Sequence, residues 1–317
     1  MILNARVTRE GMIMPKNPLA EVFGYPVGNM SPEAKRYRKG RWCPYNNPSG
    51  LNCTKSSATD PLGVCSIFDG DKIVITCPVR LRQDVTILED ATNFFFPDGK
   101  PITLTEVRLK DREGKAAGNI DIVLATIDEN DKVTDFGSIE VQAVYISGNV
   151  RNVFKEYMKD PAQNYAMEWP SKNYPTPDYL SSSRKRLVPQ LLYKGGILHS
   201  WHKKMAVVVH REFFEQLPHL EEVDEEEAEM AWMIYDFNYN QQIDRYELRR
   251  SDIKYTRFED ALATITTPTI GEMGDFVAYL EGRIKDKKLS GVPSASPAEP
   301  TIEPSIDSID ADTDEVN

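Results

Sequence analysis

Strand-like and helix-like hydrophobic patterns follow one another along the stretch from about Asp84 to Lys288. Val107 to Leu109, Asn119 to Ile127 and Ser138 to Ile146 are rich in β-branched residues, with turn-formers at Asp111 to Gly118 and Asp128 to Lys132 between them, which predicts a three-strand meander. Asn149 to Lys159 reads as a helix, and Ser181 to Tyr193 as a second one interrupted by Pro189. The unbroken apolar run Met205 to Val209 predicts a short buried strand, followed by a helical turn over Glu212 to Leu217. Ala231, Met233, Tyr235, Phe237 and Tyr239 alternate with their neighbours, so a hairpin is expected from about Met230 to Ile253. Strands and helices mixed in this order predict an α/β (α+β) layer architecture.

The flanks differ in texture. Residues 1–34 contain Pro15, Pro18, Pro26 and Pro32 and read as an N-terminal arm. Residues 35–82 hold all four cysteines among Pro, Gly, Asn and Ser, the composition of a loop-rich subdomain too small to fold on its own core. Residues 83–288 form the main domain, and residues 289–317, made of Pro, Ser and acids, are expected to be a disordered tail.

A net charge of −11 in 317 residues argues at first against a nucleic-acid partner. Its distribution reverses that reading. Seven acids lie in the tail and seven more in the run Glu221 to Glu229; with these fourteen set aside the balance is +3. Basic clusters remain at Lys35, Arg36, Arg38, Lys39 and Arg41, at Arg184 to Arg186, and at Lys203 and Lys204, each of them also readable as a solvated face. No stretch reaches the roughly 18 apolar residues of a membrane span, and the first residues lack the apolar run of a signal peptide, so a cytoplasmic protein is expected.

One motif invites a calcium site. Asp236, Asn238, Asn240, Ile243, Asp244 and Glu247 fit the EF-hand loop at its first, third, fifth, eighth, ninth and twelfth positions. Its sixth position needs Gly and has Gln241, and the flanking alternation is that of strands, so the segment is read as the hairpin and not as a calcium loop.

Carboxylates in the meander carry more chemistry. Alternation places Ser138, Glu140 and Gln142 on one face of their strand, and Asp121 stands among Ile120, Ile122, Val123 and Leu124, where a lone carboxylate is costly to bury. A divalent cation shared by Asp121 and Glu140 would remove that cost. An Asp on one strand and Glu-x-Gln on the next resembles the PD-(D/E)xK nuclease signature, although such a triplet also suits a half-exposed sheet face. Cys43, Cys53, Cys65 and Cys77 are separated by nine, eleven and eleven residues, spacings that match no paired zinc motif. Buried free thiols and four thiolates on one zinc or iron both remain open, with disulfides disfavoured in a cytosolic protein.

Taken in order, Ala20-Glu21-Val22-Phe23-Gly24, Cys43-Pro44-Tyr45, Cys53-Thr54-Lys55, Gly63-Val64-Cys65 and Cys77-Pro78 resemble the N-terminal region of the NotI family of restriction endonucleases. Ile120-Asp121-Ile122-Val123-Leu124 and Gly137-Ser138-Ile139-Glu140-Val141-Gln142 resemble that family's catalytic strands, and Glu106 stands where the family has a further active-site Glu. The likeness runs from about Ala20 to Val144 and then fades. It implies a PD-(D/E)xK-like mixed central sheet flanked by helices, beside a four-cysteine metal subdomain. It implies a structural iron (or zinc) on Cys43, Cys53, Cys65 and Cys77, and a catalytic magnesium on Asp121 and Glu140, to which the Val141 carbonyl is expected to add a third ligand. Gln142 would orient the attacking water, and Glu106 would serve a second metal or its water. The activity implied is type II, sequence-specific hydrolysis of double-stranded DNA to 5′-phosphate ends; the two-fold symmetry of such a site in turn predicts a homodimer whose basic clusters line one cleft. Two alternatives stay open: a non-catalytic DNA-binding module with a four-cysteine site, and a repair or single-strand nuclease of the same core.

Overall fold

The computed structural model describes residues 6–7, 13–14, 17–46, 52–57 and 59–289. The tail from Ser290 to Asn317 and most of the first half of the predicted arm lie outside the described residues. The chain divides into two compact units, Met1–Thr267 and Pro268–Asn317. In the second, Met273–Leu289 forms an α-helix.

In the first unit, β1 (Arg6–Val7) and β2 (Ile13–Met14) make a short antiparallel pair. β3 (Leu19–Val22), β4 (Tyr25–Pro26), β5 (Val64–Asp69) and β6 (Lys72–Ile75) form a sheet in the order β4-β3-β5-β6. Between them lies helix α1 (Pro32–Gly40), with Pro32 at its start and the Ser31 hydroxyl accepting from the Ala34 N–H as an N-cap. The cysteine segment is therefore more ordered than its composition predicts. Its strands β5 and β6, and β3 and β4 that the predicted arm adds to the same sheet, are only two to six residues long and broken by Gly and Pro, too short for periodicity to reveal.

Helix α2 (Thr86–Phe95) leads into the meander β7 (Ile102–Lys110), β8 (Ala116–Ile127) and β9 (Val133–Gln142). β10 (Tyr145–Ser147) pairs with β11 (Thr176–Asp178) around helix α3 (Val150–Lys159). β12 (Met205–His210) and the hairpin β13 (Met230–Asn240) and β14 (Arg245–Thr256) complete a six-stranded mixed sheet, ordered β14-β13-β12-β9-β8-β7. β12 runs parallel to both β9 and β13, is buried along its whole length, and for that reason reads as an unbroken apolar run. The segment that mimics an EF-hand is this hairpin, with Asn238 opposite Glu247.

Helices cover both faces of the sheet. On one, Ile87, Ala91 and Phe94 of α2 pack with Ile122, Ile139, Val208 and Met233. On the other, Leu187 and Leu191, with Phe258 and Ala261 of the helix Phe258–Thr266, pack with Val207, Val209 and Trp232. A separate core joins Leu19, Val22, Val64 and Ile67 to Val153, Phe154 and Tyr157 of α3.

Several predicted boundaries are corrected: β7 begins at Ile102, five residues before the expected Val107, β8 begins at Ala116, inside the expected turn, and two further changes have a physical cause. β9 ends at Gln142 instead of running to Ile146, because the Val144 N–H turns away to the Ile75 carbonyl at 3.0 Å. Pro189 does not interrupt its helix, which continues from Tyr179 to Ser200 by passing through π-helical turns at Ser183–Leu187 and Leu191–Gly195. The missing N–H and bulky ring of Pro189 disfavour regular α geometry, and wider turns on either side accommodate them.

Candidate active site

Strand register brings three carboxylate-bearing positions into one row. Thr105 pairs with Ile122 and Val107 with Ile120, which brackets Glu106 opposite Asp121. Ile122 and Ile139 are the last pair of the β8–β9 ladder, and Asp121 and Glu140 each lie one residue beyond it. At this end of the ladder the Val141 N–H donates to Asp121 Oδ2 at 2.8 Å, tying the carboxylate to β9. Glu106 holds its backbone at φ 54°, in the left-handed region where a non-glycine residue is strained, and its exposed side chain stands 3.8 Å from the Arg82 guanidinium.

Glu140 is fully buried. Burial above all, then the charge of Asp121, pushes its carboxyl up to about 8, against the opposing pull of Lys194. Lys194 Nζ donates to Glu140 Oε2 at 2.6 Å and to the Asn119 carbonyl at 2.7 Å, while Glu140 Oε1 is buried with no hydrogen-bond partner. A buried orphan oxygen is costly and asks for a ligand. Gln142, also buried, donates its amide N–H to the Ala143 carbonyl at 2.5 Å.

The row opens into a cleft of about 1260 Å3 whose walls include Glu106, Asp121, Gln142, Arg82, Lys185 and Arg186. Thr54, Lys55 and Thr76 of the cysteine segment line the same cleft. Only part of the basic inventory reaches it. Lys185 and Arg186 do, but Arg38 is buried as a strut, donating to the Asn29 and Pro26 carbonyls at 2.6 and 2.7 Å. Lys203 pairs with Asp135 at 2.6 Å, and Lys204 sits over the Phe94 ring. Sequence reasoning missed Lys194, Arg82 and Arg151, which also lines the cleft. Lys194 follows directly on the predicted helix end at Tyr193, where the π turn that aims it left no trace in the hydrophobic pattern.

The four cysteines are buried free thiols. Burial first, then the other sulfurs, raises Cys43 to about 11 and Cys65 well above its usual value, and Cys53 and Cys77 act on both, so the four lie within electrostatic reach of one another. Backbone N–H groups face three of the sulfurs: Tyr45 and Asn46 at Cys43, Lys55 at Cys53, and Gly24 at Cys65, the last at 3.3 Å. Among the described residues, however, no group of three or more His, Cys, Asp or Glu side chains is arranged to hold a metal ion.

No curated protein matches this chain. The family model described as restriction endonuclease NotI matches residues 21–248, a span that includes the carboxylate row, Lys194 and all four cysteines.

Proposed function

The chain belongs to the NotI restriction endonuclease family and is thereby a DNA endonuclease acting on double-stranded DNA, and we propose that it is a type II enzyme cutting in a magnesium-dependent way at the row Glu106, Asp121 and Glu140. The observation that carries this reading is the row itself: carboxylates on three adjacent strands, Glu106 and Asp121 at the wall of a basic-lined cleft and Glu140 buried beside them with an unpartnered oxygen. An Asp on one strand and Glu-x-Gln on the next resembles the PD-(D/E)xK arrangement, with Gln142 where that pattern has Lys.

Asp121, Glu140 and the Val141 carbonyl would hold the magnesium, which when bound supplies positive charge to the phosphate and acidifies water. Asp121 is pre-positioned for this by the Val141 N–H. Gln142 carries no charge and is no base; with its N–H group tied to the Ala143 carbonyl, its amide oxygen is left to accept from, and orient, the attacking water. Arg82 keeps Glu106 at the cleft, where it would serve a second metal or its water. Lys185 and Arg186 would meet the DNA backbone. Breaking the bond to the 3′ oxygen leaves a 3′-hydroxyl and a 5′-phosphate.

The thiol cluster suits a structural iron or zinc by the chemistry of its donors, because backbone N–H groups facing sulfur favour thiolates. It forms no closed cage among the described residues, so binding would draw the side chains inward. We further assign a homodimer, since a two-fold symmetric site is most simply read by a two-fold symmetric pair with one active site per strand.

The test is incubation of purified protein with a long duplex and magnesium, followed by sequencing of the fragment ends. Discrete 5′-phosphorylated ends in one sequence context are expected. A smear, or cleavage that survives chelation of magnesium, would overturn the reading. Light scattering of the DNA-bound protein checks the dimer, which one chain per site with both strands cut together would exclude.

A further inference from the structure

We infer that Lys194 is a positioning residue for Glu140: its ammonium group holds one carboxylate oxygen so that the other is left free for a ligand shared with Asp121. This rests on the active-site reading above, and its grounds are geometric.

The lysine reaches the row along a built path. It lies in the second π turn, Leu191–Gly195, so its direction differs from the one that continued α geometry would give. The next residue, Gly195, has no room for a side chain, since a Cβ there would lie 2.6 Å from the Phe258 ring; the backbone at Lys194 is thus pressed close to the core. The aliphatic stem passes Gly118 of β8, where a Cβ would come within 3.5 Å of Lys194 Cδ. Its Nζ then meets two acceptors, Glu140 Oε2 and the carbonyl of Asn119, and the second of these anchors the ammonium to β8 independently of Glu140.

An ordinary buried ion pair leaves little unsatisfied, because an orphan polar atom away from water is costly. Here Lys194 engages Oε2 alone, and Oε1 is left without a partner. That asymmetry is what a carboxylate with one supporting and one working oxygen requires. Gln142, two residues along β9, is neutral and turned to the Ala143 carbonyl, so it does not take over the support of Glu140.

The experiment compares Lys194→Met, Lys194→Arg and Glu140→Ala with the parent protein. Single-turnover cleavage at saturating magnesium, the dependence on DNA concentration, DNA binding in chelator and thermal unfolding are all measured. Lys194→Met is expected to lower kcat by about 100-fold or more, with KM and metal-free DNA binding near the parent's and a lowered unfolding temperature, because Glu140 loses its buried partner. Lys194→Arg, which keeps the charge with different geometry, should fall between the two. A Lys194→Met protein with parental kcat overturns the inference, as does Lys194→Arg being as slow as Lys194→Met. If Lys194→Met does not fold, Lys194→Arg decides alone: reduced kcat at unchanged KM supports positioning, and parental values for both overturn it. Glu140→Ala separates the two levels. Normal cleavage by that variant means that the active-site reading itself has failed, whereas an inactive Glu140→Ala beside a normal Lys194→Met removes only the role of Lys194.

Discussion

Glu21 and Arg80 meet as a wholly buried ion pair, with Arg80 Nε 3.0 Å from Glu21 Oε2 and neither side chain exposed. Arg80 lies between the rings of Tyr45 and Phe237 and donates to the Tyr246 carbonyl at 2.7 Å, while the Ser66 hydroxyl donates to Glu21. The pair thus joins the cysteine segment to the β13–β14 hairpin. Removing one partner strands a buried charge, at a cost of about 3–5 kcal/mol. Glu21→Ala should lower the unfolding free energy by that amount in chemical denaturation, and adding Arg80→Met should restore part of it. A loss under about 1 kcal/mol would show that water reaches the site.

Asp121→Ala and Glu140→Ala should each slow cleavage by about 1000-fold or more, since a lost metal ligand removes several kcal/mol of transition-state stabilisation. DNA binding in magnesium-free buffer should change little, because neither residue contacts phosphate through a positive charge. Gel-shift and cleavage assays on the same preparations check both halves. Near-normal cutting would remove these residues from the active site.

Cys65→Ser should reduce solubility and thermal stability together with activity, and elemental analysis of the parent protein should find about one iron or zinc per chain. Gly24→Ala should weaken the same segment by about 1–3 kcal/mol from backbone strain alone. Gly24 has φ +80° and a Cβ there would lie 2.3 Å from Pro44 Cγ, while its N–H serves the Cys65 sulfur. A metal-free, fully stable parent protein would refute the metal assignment and leave the glycine prediction standing.

Changing Lys185 and Arg186 together to Ala should weaken DNA binding and flatten its salt dependence by up to about two units of slope, one for each lost phosphate contact. Binding titrations at several salt concentrations measure this. The matching change at Lys203 and Lys204 should have little effect, since those residues lie over Asp135 and Phe94. Equal effects from both pairs would place the DNA elsewhere.

Much of this was legible in the sequence where the pattern was long. The second and third meander strands and the hairpin have enough β-branched or alternating positions to show a period, and β12 declares its burial on both faces by having no polar residue from Met205 to Val209. The places of Asp121 and Glu140 on neighbouring strands followed from the same pattern. Strands β3 to β6 were hidden because they are short and interrupted. Arg38 looked like a phosphate ligand by its neighbours, yet tertiary contacts bury it against backbone carbonyls. Lys194 was invisible because its approach to Glu140, 54 residues earlier in the chain, depends on a π turn that no hydrophobic period encodes.

The helical run from Tyr179 to Ser200 has a consequence for how this protein tolerates change in length. A regular helix turns roughly 100° per residue, so deleting one residue from Val188–Gln190, with the following π turn kept, would swing Lys194 away from Glu140 by about a quarter of a circle. Most substitutions on the outer side of this helix leave that angle alone. The segment therefore tolerates spelling errors better than counting errors: its residue number, more than the identity of its exposed residues, is what ties the basic cleft wall to the carboxylate row.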